Sequence, residues 1–129
     1  MPDDLPTNVR QFISEHIRSI AQLELLLMLS GQRDRSWSID EAAKALYTAV
    51  SMTEPLLESL RAIGLAALDA KKRYAYAPRS PELDRVVIDL AQLYQERRVT
   101  IVNLIYSAPV AKLQSFADAF RIRNRPEDK

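Results

Sequence analysis

The chain has 129 residues, the size of one domain, and 47% of them are hydrophobic, which is enough for a core of ordinary density. Its 18 basic and 17 acidic residues give a formal net charge of +1, so attraction to nucleic acid or to anionic lipid must come from a local patch. The sequence contains no cysteine, which excludes disulfides, thiolate nucleophiles and zinc-finger ligand sets.

The sequence shows neither a secretory signal nor a membrane span. Its first residues are acidic and do not lead into an apolar run, and the longest apolar block, Leu25–Leu29, is too short to cross a bilayer. We therefore expect a cytoplasmic protein that does not enter a membrane. The chain has only two glycines, and this scarcity favours helices over a sandwich or barrel with many turns.

Helical periodicity begins close to the N-terminus. Pro6 or Thr7 can open a first helix, whose apolar residues recur at three- and four-residue steps. The segment Ser19–Ser30 is apolar enough to be buried almost all round, and the sequence leaves open whether it continues the first helix or begins a new one near Ser19. Gly31 is expected to end it, because a left-handed terminal residue costs glycine little. A loop is predicted from there to Trp37.

A capping box predicts the start of the next helix. The Ser38 hydroxyl can accept from the amide of Glu41 while the Glu41 carboxylate accepts from the amide of Ser38. Trp37, directly before this pair, is placed to pack as a hydrophobic staple. The helix is predicted to extend from Ile39 to about Leu46.

A second capping box, from Ser51 to Glu54, predicts the start of a third helix. Pro55 makes Thr53 an equally good N-cap, because the proline then lies within the first turn. In either case the helix directs its leucines inward and ends at Gly64.

After Gly64 the apolar period changes from helical to two. Leu65–Leu68, a polar turn at Asp69–Lys72 and the segment Arg73–Ala77 predict a β-hairpin that ends at Pro78.

Ser80, Pro81 and Glu82 then combine an N-cap, a proline at the first helical position and an acid in the first turn. They predict a long helix to about residue 108, with Arg97 interrupting its apolar seam, and a short helix over 110–122 before a solvated tail.

The order of these elements over residues 23–85 resembles the winged helix-turn-helix of small bacterial transcriptional regulators, the broad class that contains the MarR and PadR groups. The resemblance covers about half of the chain. It rests on an apolar helix, a Trp-Ser-x-x-Glu opening of the second helix, a leucine-bearing third helix ending at glycine, and a tyrosine-rich wing ending in proline. It implies a mainly α fold with a small β-hairpin. The winged-helix domain would occupy residues 1–79, and a C-terminal helical extension over 80–129 would pack with it as one compact unit.

The resemblance also implies that the third helix, about 52–63, contacts base edges and that the hairpin touches the DNA backbone. The candidate DNA-binding residues lie on the loop before Trp37, on the second and third helices and on the wing: Arg33, Arg35, Lys44, Ser51, Met52, Thr53, Glu54, Glu58, Arg61, Lys71, Lys72 and Arg73. The two glutamates on the third helix oppose phosphate binding, although a glutamate can accept from cytosine N4. The three wing cations are equally well explained as a solvated turn.

The long helix carries more apolar residues than one buried stripe requires. One explanation is that the helix packs against the same helix of a second chain. This gives a homodimer through the C-terminal helices, with two wings for the two half-sites of a DNA operator. The other is that the first and last helices cover the second face within one chain. The sequence does not decide between them.

No constellation of residues indicates catalysis or a cofactor. His16 is the single histidine, and one imidazole without cysteine is a poor basis for a metal site. No glycine-rich phosphate loop is present. We therefore predict a DNA-binding transcriptional regulator that is not an enzyme, has no cofactor and has double-stranded DNA as its partner. The alternative is a winged-helix module that does not bind DNA and holds a protein partner.

Overall fold

The computed structural model describes residues 5–106, and the helix predicted over residues 110–122 and the tail after it lie outside this range. The helices are α1 (Thr7–His16), α2 (Ile20–Gly31), α3 (Ile39–Leu46), α4 (Val50–Ile63), α5 (Pro81–Glu96) and a helical segment, α6, over residues 98–106. The strands are β1 (Ser36–Trp37), β2 (Ala66–Leu68) and β3 (Tyr74–Tyr76). The fold is mainly helical with a small antiparallel sheet, as predicted.

The first two helices are separate. Helix α2 begins anew at Ser19, whose hydroxyl accepts from the Gln22 backbone N–H at 3.1 Å. Gly31 is the last residue of α2, but its φ is not positive, so the expected left-handed glycine cap is wrong at this position. The helix ends instead through Gln32, whose N–H donates to the Leu29 carbonyl at 3.2 Å.

The capping box of α3 is confirmed, with both reciprocal bonds between Ser38 and Glu41 at 3.1 Å. The box predicted for the third helix is wrong. Helix α4 begins at Val50 after Ala49, which makes no side-chain cap. The Ala49 carbonyl accepts from the Thr53 N–H at 3.0 Å and from the Thr53 hydroxyl at 2.8 Å, so the helix begins before both predicted caps, Ser51 and Thr53.

The hairpin predicted after Gly64 is confirmed. Gly64 has φ 97° and ends α4, and the Leu65 N–H donates to the Leu60 carbonyl at 2.9 Å, as in a Schellman motif. Strands β2 and β3 then pair antiparallel, with Ala67 opposite Ala75. The sequence did not predict β1, which pairs with the other edge of β3 and places Trp37 opposite Tyr74, so the sheet order is β1-β3-β2.

The prediction of a single long C-terminal helix is wrong, because α5 ends at Glu96 and the backbone of Arg97 (φ −135°, ψ 53°) is not helical. Its start is confirmed: the Ser80 hydroxyl accepts from the Leu83 N–H at 3.1 Å. Beyond the break, Ile101 and Ile105 of α6 are fully buried in the same core as the leucines of α2, α4 and α5. Within residues 5–106, no helix is long and apolar enough to cross a membrane.

Candidate nucleic-acid interface

Helices α3 and α4 form a helix-turn-helix joined by residues 47–49. Tyr47 ends α3 in a left-handed conformation (φ 56°), and 96% of its surface is exposed. The inward side chains of α4, Thr53, Leu57 and Leu60, are fully buried. Helix α4 is therefore fixed on the core, and its opposite side faces solvent.

The side chain of Gln22 links α2 to α4. Its amide nitrogen donates to the Ser59 hydroxyl at 3.1 Å, and its carbonyl oxygen accepts from the Arg18 backbone N–H at 2.6 Å. Because Gln22 is almost fully buried, both bonds satisfy polar groups that folding removes from water. This edge of α4 is thus held inside the domain.

The first turns of α4 present small, apolar and acidic side chains to solvent. Val50 is 46% exposed and Met52 60%, and Ser51 and Glu54 are exposed as well. Thr53 is fully buried, and its hydroxyl donates to the Ala49 carbonyl at 2.8 Å. Thr53, a candidate DNA-binding residue by sequence, is therefore not accessible to DNA.

Glu58 joins α4 to the wing. Its carboxylate accepts from the Tyr74 hydroxyl in β3 and from the Arg61 guanidinium, the latter at 2.9 Å. The Tyr74 hydrogen bond, with the charge of Arg61, holds the pKa of Glu58 below its ordinary value. Burial, together with the bond to Glu58, raises the pKa of Tyr74 to about 12. Glu58 and Arg61 therefore anchor the wing, and their charges are already paired.

The tip of the wing is a tight, basic turn. The Asp69 carboxylate accepts from the backbone N–H groups of Lys71 and Arg73 at 2.8 and 3.0 Å, and Lys72 is left-handed (φ 64°). The side chains of Lys71 and Lys72 are exposed. This turn holds two cations at a fixed place beside α4.

Arg73 points back into the domain. Its guanidinium donates to the hydroxyl and the carbonyl of Ser36, both at 2.9 Å, and to Glu41 at 2.7 Å. The Ser38 N–H and then Arg73 lower the pKa of Glu41 from its ordinary value. Arg73 thus joins the wing to β1 and to the start of α3 through three hydrogen bonds within the fold.

Arg33 and Arg35 lie in the loop after α2. Arg33 donates to both oxygens of Asp84 in α5, at 3.3 and 2.7 Å, and the Tyr76 hydroxyl donates to the same carboxylate at 2.7 Å. These bonds, Arg33 first, lower the pKa of Asp84. Arg35 stacks on the Trp37 ring, 3.6 Å from its centroid, and remains exposed. Arg33 therefore ties the loop to α5, whereas Arg35 keeps its guanidinium edge in solvent.

The structure divides the candidate residues into two groups. Arg33, Glu58, Arg61 and Arg73 form anchoring bonds, and Thr53 is buried. The remaining candidates are exposed and their side chains take no part in these bonds: Arg35, Lys44, Ser51, Met52, Glu54, Lys71 and Lys72. Sequence analysis missed Tyr47 and Val50, whose exposure depends on where α4 begins.

The described residues offer little to a metal ion. Between residues 5 and 106, no group of three histidine, aspartate or glutamate side chains is arranged to bind one. The His16 ring lies 5.3 Å from that of Phe12, and its Nε2 is 3.8 Å from Glu15. Both neighbours are on α1, so these contacts assign His16 a structural place on the surface of that helix.

No protein-family model matches the chain, and no curated protein sequence matches it at a significant level. Among solved structures, the chain is similar to MepR, a transcription regulator of the Staphylococcus aureus multidrug efflux pump MepA, with 18% identity and a TM-score of 0.50 over 88% of this chain and 87% of that one. A MepR mutant from a multidrug-resistant S. aureus clinical isolate has 17% identity and a TM-score of 0.49, over 88% of this chain and 87% of that one. MepR bound to ethidium bromide has 16% identity and a TM-score of 0.47, over 88% and 89% of the respective chains. At 18% identity, the likeness to the first of these structures concerns the fold alone, and the fold of this chain is a winged helix-turn-helix.

Proposed function

We propose that the chain is a DNA-binding transcriptional regulator of the winged-helix type, which acts in the cytoplasm as a homodimer. The observation that supports it best is the position of the two exposed wing lysines, Lys71 and Lys72, on a turn anchored to α4 through Tyr74 and Glu58. This arrangement sets phosphate-binding cations beside a helix whose outer side is open. MepR, which has the same fold, is a transcription regulator.

The two groups of charged residues have different roles in this proposal. Lys71 and Lys72, with Lys44 on α3 and Arg35 beside Trp37, contact phosphates. Such contacts supply affinity and position without sequence information. The first turns of α4 then meet base edges in the major groove. Arg61 and Arg73 hold the wing in place, and Arg33 holds the loop after α2 in place.

A salt titration tests DNA binding. We would measure the affinity for a short random-sequence duplex by fluorescence anisotropy from low to physiological ionic strength. Lys71→Glu combined with Lys72→Glu should weaken binding and reduce the slope of log affinity against log salt by about 2, since each lysine contributes about 0.9. Arg10→Glu combined with Arg85→Glu makes the same charge change on α1 and α5 and should have a smaller effect. Failure of the wild type to bind at low ionic strength would overturn the proposal.

The homodimer is supported by apolar side chains exposed on the C-terminal helices. Ile88 is 45% exposed on α5, and Val99 and Tyr106 on α6 are 72% and 61% exposed. In this proposal residues 1–79 contact DNA. Residues 80–129 form the dimer interface, in which these exposed apolar side chains are buried. Light scattering should give twice the mass of one chain, and Val99→Glu should shift the protein towards monomer. A wild-type monomer at all accessible concentrations contradicts this part of the proposal.

A second candidate function is a protein-interaction module that does not bind DNA. One observation favours it: α4 exposes Glu54 and has no cation before Arg61, which is already paired with Glu58. An acidic helix attracts a basic partner surface better than a phosphate backbone. The salt titration separates the two functions, because a protein-interaction module would fail to bind the duplex at low ionic strength.

A further inference from the structure

We propose that Asp84 is a positioning residue that fixes the angle between the winged-helix domain and α5, and that it thereby sets the spacing of the two DNA half-sites to which the dimer binds. The inference rests on the proposed DNA binding and on the proposed dimer. The observation behind it is the set of three hydrogen bonds that the Asp84 carboxylate accepts.

Strand β3 is joined to two helices by the same kind of contact. Tyr74 and Tyr76 are two positions apart, so their side chains lie on one face of the strand, and both are buried. The Tyr74 hydroxyl donates to Glu58 of α4, and the Tyr76 hydroxyl donates to Asp84 of α5 at 2.7 Å. Strand β3 therefore connects the helix proposed to enter the major groove to a helix of the proposed dimer interface.

An arginine completes the contact at Asp84. Arg33 donates to both carboxylate oxygens, at 3.3 and 2.7 Å, and its guanidinium lies 4.9 Å from the centre of the Tyr76 ring. The hydrogen bonds from Arg33 and then from Tyr76 lower the pKa of Asp84, so the carboxylate is ionised at neutral pH and accepts all three bonds. The loop after α2, strand β3 and helix α5 thus meet at one carboxylate.

Asp84 gives α5 a second point of attachment. The start of the helix is held by the main chain, because the Arg79 N–H donates to the Gly64 carbonyl at 2.7 Å and the Ser80 hydroxyl caps the first turn. Asp84 lies four residues after Ser80, about 6 Å further along the axis. Apolar packing of α5 on the core is not directional, whereas hydrogen bonds are. The bonds to Asp84 therefore restrict the tilt of α5 relative to the wing.

A small change in this angle is large on the scale of DNA. Helix α5 has 16 residues and is about 24 Å long. A rotation of about 10° at its start would move its far end by about 4 Å, whereas successive base pairs are about 3.4 Å apart. In the proposed dimer each wing is joined to the interface through α5, so the angle of α5 determines the distance between the two wings.

The length of the spacer between half-sites tests the inference. A duplex with two half-sites that the full wild-type chain selects from a random pool would be compared with duplexes whose spacer is one base pair longer or shorter, and with a duplex that holds one half-site. The wild type should bind the selected spacing about tenfold more tightly than either altered spacing, because the altered DNA must be deformed to meet both wings. Tyr76→Phe keeps the buried ring but removes its bond to Asp84, and it should reduce this ratio to about threefold or less. Its affinity for the single half-site should equal that of the wild type.

Tyr74→Phe is the matched control, because it removes the corresponding hydrogen bond to Glu58 from the same strand. Each of the two variants loses one buried phenolic hydroxyl, so a general loss of stability would affect them alike. Tyr74→Phe should weaken binding to every duplex, including the single half-site, and should keep the spacer ratio of the wild type. Arg33→Gln removes two bonds to Asp84 from an exposed side chain, and it should reduce the spacer ratio as Tyr76→Phe does.

The possible outcomes separate this inference from the proposed function. A spacer ratio that is unchanged in Tyr76→Phe and Arg33→Gln, or one that falls equally in Tyr74→Phe, would overturn the role of Asp84 while DNA binding stands. Equal wild-type affinity for the three spacings would also overturn it, because α5 would then not set the distance between the wings. Absence of wild-type binding to every duplex at low ionic strength would remove the proposed function itself.

Discussion

The hydroxyl of Tyr74, on the central strand of the sheet, donates a hydrogen bond to the carboxylate of Glu58, in the middle of α4. Arg61 pairs with the same carboxylate from one turn further along the helix. The wing and the outer helix of the helix-turn-helix are therefore joined by side chains as well as by the short connection through Gly64. A change at either residue should alter the orientation of the wing.

Tyr74→Phe removes this bond while keeping the buried ring. The bond lowers the pKa of Glu58, whose ordinary value is 4.5. Its contribution to stability is thus complete at neutral pH and is lost as the pH falls through the lowered pKa. We expect the variant to have a lower Tm than the wild type at neutral pH and a smaller difference in acid, as measured by circular dichroism. An equal loss of Tm at both pH values would show that the contribution of the bond does not depend on the ionised Glu58 carboxylate, and an unchanged Tm at neutral pH would show that the bond contributes no stability.

The same pair makes the wild type sensitive to alkali. The pKa of Tyr74 is raised from 10.0 to about 12, so its neutral form is favoured in the folded state. The stability linked to this group is present below pH 10 and is lost as the pH rises towards 12. Because phenylalanine does not ionise, the difference in Tm between wild type and Tyr74→Phe should narrow again in this range. A widening difference above pH 10 would contradict the assignment.

Arg73 and Lys71 are close in sequence but should behave differently when mutated. Arg73→Gln removes the hydrogen bonds from the guanidinium to Ser36 and Glu41, which join the wing to β1 and α3. We therefore expect a lower Tm. Lys71→Gln removes an exposed cation and should leave the Tm nearly unchanged while reducing the salt dependence of DNA binding. Thermal unfolding and the salt titration together check both variants. An unchanged Tm for Arg73→Gln would contradict its structural role.

Two serines with the same sequence pattern should differ in their effect on stability. Ser38→Ala removes a cap that accepts from Glu41 N–H, and we expect it to cost about 1 kcal/mol. Ser51→Ala changes an exposed residue inside α4 that caps nothing, and the effect should be within about 0.5 kcal/mol. Urea unfolding measures both. A large loss for Ser51→Ala would mean that α4 starts where the sequence pattern placed it.

The two glycines should respond to alanine with opposite signs. Gly64 has φ 97°, and an added Cβ would lie 3.0 Å from the side chain of Arg79, so Gly64→Ala should destabilise by roughly 1–2 kcal/mol. Gly31 lies at the end of α2, where an added Cβ has nothing within 4 Å. Gly31→Ala should stabilise by about 0.5 kcal/mol, because it restricts the unfolded chain. Destabilisation by Gly31→Ala would show that its backbone needs glycine after all.

Elements with strong local patterns were predictable from the sequence. The change of period after Gly64 predicted the wing, and Ser38 and Ser80 predicted two helix starts, since a cap depends on residues within one turn. Strand β1 was not predictable: it has two residues, and it exists because Trp37 lies opposite Tyr74. The break at Arg97 likewise has no glycine or proline to indicate it.

The candidate site was predictable in location but not in the roles of its charges. The wing turn and the third helix were identified from sequence order and resemblance. Whether an arginine is available to a ligand depends on partners far along the chain, such as Asp84, 51 positions from Arg33, and Glu41, 32 positions from Arg73. Tertiary packing brings the two members of each ion pair together, and the spacing of residues along the sequence does not predict which residues pair.

The position of β3 between β1 and β2 limits how chains of this protein can associate. Both backbone edges of β3 are occupied, so in the described part of the chain the open edges of the sheet belong to β1 and β2, with two and three residues. Edges this short are poor templates for intermolecular strand addition and for aggregation by that route. Within residues 5–106, exposed side chains on the helices therefore offer a better surface for association than strand addition does.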